Sequence, residues 1–322
     1  MKFFKKLILS TFFISTMSLV NTSANAECKA RLGDFDWSSA NIHTAISAFI
    51  LEKGYGCNVE LIPGSTMPSF TSMNEKGEPD ILPEFWANAA LDALTKAEGE
   101  GRMHSVNKAP ILGLGEGWWI PPSTLEKYPE LTTAAAVLAR PDLFPHHEDT
   151  SKGGFVTCPP GSGCQISNAN LFVANRMKEK GWEMIEPGSY ASEDATITKA
   201  ALRNKPWFGY YSAPTAFVGK YNLVKLDWGV DFAGQENWNC ITKPDCPAPK
   251  PSAWTESFVR TIFTQEFDQK VSPEMKSYFA TRVIPGDLMN NLLLYKEDNQ
   301  ATPEEVAEYF LETYPEVWKS WL

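Results

Sequence analysis

Aromatic side chains cluster where this chain changes direction. Trp37 follows a short strand-like segment at residues 30–35, and Trp86 closes Asp80-Ile-Leu-Pro-Glu84-Phe. Trp118 and Trp119 stand between spaced glycines and two prolines in GLGEGWWIPP, and Tyr210 and Tyr211 end an apolar run. The chain holds 11 Trp, so where their faces point decides the chemistry. A methylated ammonium has few or no N–H donors and is held by aromatic faces instead, each worth ~0.5–2 kcal/mol by cation–π attraction. Strand alternation predicts that one of Trp118 and Trp119 faces a cleft while the other enters a lobe. Glu84 and Glu116 are the neighbouring carboxylates available to pair with an amine.

Other chemistries find no support. The sequence has no G-x-S-x-G elbow, Walker A loop, H-E-x-x-H or calcium loop. Gly113, Gly115 and Gly117 lead into a Trp pair rather than a helix, which speaks against a nucleotide loop. His146-His147-Glu148-Asp149 reads as a solvated loop rather than a metal site. A binding protein without metal or cofactor is therefore expected, not an enzyme. The formal charge of −10 argues against nucleic acid and anionic membranes and suits a small cationic or zwitterionic solute.

The first 26 residues carry the marks of an export signal. Lys2, Lys5 and Lys6 precede an apolar stretch at 7–20, and Ala24-Asn25-Ala26 gives the small-x-small cleavage pattern. Glu27 before Cys28 departs from a lipoprotein signal. A periplasmic location follows as the expectation. In such a compartment six cysteines read as three disulfides. Cys158 and Cys164 bracket one tight turn and Cys240 and Cys246 another, which leaves Cys28 with Cys57. The two-residue gap of structural zinc is absent from both close pairs.

The elements that must position the aromatic residues follow an α/β grammar. A strand at 30–35, a helix with Ile42, Ala45, Ile46, Phe49 and Ile50 on one face, and a strand at 57–62 open the chain, with Ser38 or Ser39 as the helix cap. A strand at 80–82 and a helix at 85–96 follow. After the crossing at 113–122 come a helix capped by Ser167 and running to Lys180, a strand at 182–185, a helix at 193–204 and a strand at 206–211. A return crossing at 223–228 leads to a mostly helical end, where Thr302, Pro303, Glu304 and Glu305 start a helix. The expected organisation is a first lobe at 27–117, a second at 118–223, and a return to the first at 224–322. A hinged pair of α/β lobes binds small ligands in the cleft between them.

The segments SMNEKGEPDILPEFW, GEGWWIPP, CPPGSGCQISNANLF and GYYSAPTAFVGKYNLVKLDWG, with the tail from NQAT to VWKSW, resemble the glycine betaine/proline betaine-binding proteins of ABC importers, the OpuAC/ProX family, and especially its trimethylamine N-oxide-binding branch. The resemblance spans nearly the whole chain after residue 26. It implies a class II periplasmic-binding-protein fold, an aromatic box for a methylated ammonium, and a monomer that delivers its ligand to a membrane permease with a cytoplasmic ATPase. Carried over by position, Trp86 is a box residue, Trp118 and Trp119 are further walls, and the Gly163 and Cys164 amides are donors to an anionic oxygen. Two departures stand out: Ser162 and Ser212 occupy positions where the family has box Trp. Ala90 also lies where the family's carboxylate-holding His is expected. The resemblance implies a small methylated ammonium osmolyte such as glycine betaine or trimethylamine N-oxide. The departures leave room for a ligand larger, more polar or less dependent on a full aromatic box, with choline, carnitine, polyamines and sulfonium compounds as the alternatives.

Overall fold

A computed structural model describes residues 28–322, so the expected signal at 1–26 lies outside the described residues. The first sheet contains β1 (Lys29–Phe35), β2 (Asn58–Gly64), β3 (Ile81–Trp86), β4 (Met103–Asn107) and β10 (Val259–Thr264). The second contains β5 (Gly115–Ile120), β6 (Gly153–Val156), β7 (Trp182–Ile185), β8 (Gly209–Ala213) and β9 (Val224–Lys225). Their orders, β2-β1-β3-β10-β4 and β7-β6-β8-β5-β9, are the same pattern used twice. In each sheet four strands run the same way, and the one that runs against them, β10 or β5, follows a stretch of chain arriving from the other sheet.

The helix Ser38–Tyr55 covers the first sheet with Ile42, Ala45, Ile46, Ile50 and Leu51, while Phe49 is only half-buried. Its cap differs from expectation. Trp37 is the N-cap residue and makes no side-chain capping bond, and the Ser39 hydroxyl turns inward to Glu84. The helices Gly286–Asn299 and Pro303–Thr313 complete this core, the latter through a capping box between Thr302 and Glu305. In the second lobe the helix begins at Gly163, with Ser162 as N-cap, and stops at Ala174; Ser167 lies inside it and bonds back to the Gly163 carbonyl. Residues 85–86, expected to be helical, extend β3 instead.

The chain stays in the second lobe beyond the expected return at 224. β9 pairs with β5, and Trp238 and Trp254 join the second lobe's core before β10 rejoins the first sheet at Val259. The disulfides Cys28–Cys57, Cys158–Cys164 and Cys240–Cys246 tie β1 to β2 and close two short loops. His146, expected in a solvated loop, is buried, and its Nδ1 accepts from the Glu148 and Asp149 amides; His147 beside it is exposed. No described helix is long and apolar enough to cross a membrane.

Candidate functional site

The C-terminal ends of β1, β3 and β8 and the starts of two helices, Gly163–Ala174 and Tyr190–Leu202, converge on a cavity of about 270 Å³ between the lobes. The lobes meet around it. Gly163 packs so closely on Ala89 that a side chain there would overlap it. The Trp238 indole donates to the Asn88 carbonyl at 3.0 Å, the Met67 amide donates to the Gly161 carbonyl at 3.1 Å, and Lys243 pairs with Asp92 at 2.9 Å. Each contact joins one lobe to the other.

The wall from the first lobe is built on Glu84. Both lining indoles, Trp37 and Trp86, donate their Nε1–H to the same carboxylate oxygen, at 3.0 and 3.3 Å. Ser39 adds a bond to that oxygen at 2.7 Å, and His43 Nδ1 meets the other at 3.0 Å. Burial pushes Glu84 up, but the bonds from His43, Trp37 and Ser39 more than offset it, and its pKa is lowered. Burial and the nearby Arg282 charge lower that of His43. An ionised carboxylate thus stands behind two neutral indoles. It fixes their orientation and, by accepting from both N–H groups, adds electron density to their faces. Glu84 does not itself line the cavity.

The opposite wall is acidic. Glu116, Glu193 and Asp194 line it from the second lobe, Asp36 joins from the first, and Lys296 is the only basic side chain among the described lining residues. Glu116 is buried, accepting from the Tyr210 hydroxyl at 2.7 Å and from Asn88 at 2.7 Å. Its pKa is raised by burial, against the pull of those bonds. Asp194 accepts from the Tyr211 hydroxyl at 2.6 Å, and burial pushes it up to about 6. Lining rings come from Tyr190, Tyr210 and Tyr211, and Tyr190 meets Trp37 across the cleft with centroids 5.6 Å apart.

Of the residues singled out in the sequence, the structure brings Trp37, Trp86, Tyr210, Tyr211, Glu116, Gly163, Cys164 and Ser212 to this cavity. Neither Trp118 nor Trp119 lines it. Both faces of β5 are covered, so alternation sends Trp118 among Phe155, Phe208 and Trp228 and Trp119 into a second cluster with Val156 and Trp207. The Trp118 indole donates to Asn168 and that of Trp119 to the Tyr211 carbonyl. β5 runs antiparallel to β8, so its beginning shares the cleft edge with the end of β8, and Glu116 pairs with Ser212 there. Ser162 is buried behind the wall, donating to the Pro159 carbonyl at 2.6 Å.

Tyr190, Glu193, Asp194 and Asp36 escaped the sequence reading. A Tyr and an acid in the first turn of a helix, with a second acid just after, look like ordinary dipole-matched decoration. The usable signal was position, since that turn follows the C-terminal end of a parallel strand, where ligands collect.

Two lobes of repeated topology closed on a small inter-lobe cavity define a ligand-capturing protein of the class II binding fold. The chain belongs to the OpuAC family, the substrate-binding domain of ABC-type glycine betaine transport systems, with the match spanning residues 29–313. No curated protein sequence matches it. Among solved structures it is similar to an ABC-transporter choline-binding protein in complex with choline, at 16% identity over 91% of each chain with a TM-score of 0.72. Lactococcal OpuAC in its closed-liganded conformation with glycine betaine is similar at 16% identity over 92% of this chain and 99% of that one, TM-score 0.68. ProX from Borrelia burgdorferi is similar at 15% identity over 91% and 96%, TM-score 0.71. At such identities the likeness is one of fold. The family is one of solute-binding components of importers rather than enzymes.

Proposed function

We propose that the chain captures a small methylated ammonium solute in the periplasm and delivers it to the permease of an ABC importer. The observation that carries this reading is the pair of indoles, Trp37 and Trp86, anchored on one ionised carboxylate and facing a cavity of about 270 Å³ with acidic groups opposite. Such a volume lies at the small end for ligand sites and suits a solute of few heavy atoms. Candidates are glycine betaine, trimethylamine N-oxide and choline. The acidic wall favours a net cation over a zwitterion, whose carboxylate would meet Glu116, Glu193 and Asp194 unless the Gly163 and Cys164 amides held it.

Titration calorimetry with these three compounds and tetramethylammonium tests the reading. Binding of at least one in the micromolar range is expected. Absence of heat from all four at millimolar concentration would overturn it.

A further inference from the structure

Glu193 lines the cavity at 1% exposure, and neither of its carboxyl oxygens has a hydrogen-bond partner. Its polar neighbours are committed elsewhere. The Tyr210 hydroxyl donates to Glu116, the Tyr211 hydroxyl to Asp194, and the Tyr190 hydroxyl lies 3.7 Å from Cys164 Sγ. The other buried carboxyl group on this wall, Glu116, is bonded through both oxygens. A buried carboxyl group without a partner is costly to the fold, and a donor entering the cavity would relieve that cost.

We infer that Glu193 is the second anchor of the ligand, accepting a hydrogen bond from an O–H or N–H on the arm opposite the methylated ammonium. The inference rests on the function proposed above and narrows it. The solute pairs a methylated ammonium, held on Trp37 and Trp86, with a donor-bearing arm that reaches the second lobe. A carboxylate arm offers no donor and meets like charge at Asp194, whereas a hydroxyl or amine arm supplies what Glu193 lacks. Burial, and then the neighbouring Asp194, raise the Glu193 pKa well above the usual range, so charge on the ligand bears on its protonation.

Three probes sharing one head separate the contributions: tetramethylammonium with no arm, choline with a hydroxyl arm, and 2-aminoethyl-trimethylammonium with an amine arm. Calorimetry on the wild type should show choline or the amine binding at least tenfold tighter than tetramethylammonium. In Glu193→Gln, which keeps the shape, that advantage should fall at least tenfold while tetramethylammonium changes less than threefold. An unchanged melting temperature, or a higher one, reports the fold intact, and Glu193→Ala provides a second variant. Equal loss for all three probes, or no loss for any, would overturn the role of Glu193. If wild-type protein fails to bind even tetramethylammonium, the methylated-ammonium reading itself fails, which is a different result.

Discussion

The two walls of the cavity treat charge in opposite ways. On the first lobe the carboxylate of Glu84 is fully bonded and hidden behind the neutral faces of Trp37 and Trp86, which line the cavity beside Asp36. On the second lobe carboxyl groups reach the cavity directly, flanked by tyrosines. A hidden, bonded charge keeps its ionised form and aims its neighbours; a buried charge at the surface of a cavity has its pKa raised and is poised for a partner. One wall therefore supplies shape and polarisable surface, and the other supplies carboxyl groups whose charge a cationic ligand would draw out. A methylated cation can use both at once.

The sharpest way to break this contrast is to remove a face. Trp86→Ala should weaken methylated-ammonium binding by on the order of 100-fold, about 3 kcal/mol, combining lost cation–π attraction with lost contact area. Glu84→Gln keeps both indoles but neutralises the charge behind them. It should cost roughly tenfold, because each face keeps its area and loses part of its electrostatic pull. An equal loss in the two variants, measured by calorimetry, would mean that charge dominates on this wall as well.

Much of the scaffold was legible because its signals are local. The strand at 30–35, the apolar face of the next helix and the Thr302 capping box are patterns that span a few residues. The helix Thr66–Lys76 was not, since it buries few apolar side chains, chiefly Phe70 and Met73, in a Ser/Thr-rich run. β10 was missed because Val259–Thr264 is covered on both faces and shows no alternation. In the site, Trp37 and Trp86 were readable from strand ends. The assignment of Trp118 and Trp119 failed because alternation gives opposite faces without saying whether both are covered. Glu193 and Asp194 carry no local pattern at all, since their chemistry arises only when the other lobe closes over them.

The two serines sharpen the comparison further, because the structure separates them. Ser162 is 1% exposed, with its hydroxyl committed to Pro159, so Ser162→Trp should overpack the loop and destabilise the protein by ~1–3 kcal/mol. Ser212 lines the cavity and is half-buried, so Ser212→Trp has room to add a ring to the second lobe's wall. Tetramethylammonium should then bind several-fold tighter while the melting temperature falls little. Similar melting losses for both variants would erase the distinction between a position behind the wall and one within it.

The smallest effect concerns stability rather than binding. Asp194 has its pKa raised to about 6 by burial, although the Tyr211 hydroxyl bonds to it. A carboxyl group held higher in the folded than in the unfolded chain binds its proton more tightly when folded. Its cost is therefore absent at low pH, where both states are protonated. The cost grows as the pH climbs from the ordinary carboxylate value near 4 and is complete above about 6. The rise from near 4 to about 6 sets a ceiling of about 3 kcal/mol, and an amide oxygen at this position accepts a weaker bond from Tyr211. Asp194→Asn should thus be more stable than the wild type by ~1 kcal/mol at pH 8, with the gain vanishing near pH 4, as followed by thermal melts across that range. Glu84→Gln should show the reverse, because its carboxylate is bonded and its pKa lowered. It should lose stability at neutral pH and recover part of the deficit only as acid protonates the wild-type group. Parallel pH profiles for the two variants would mean that the walls do not differ in how they carry charge.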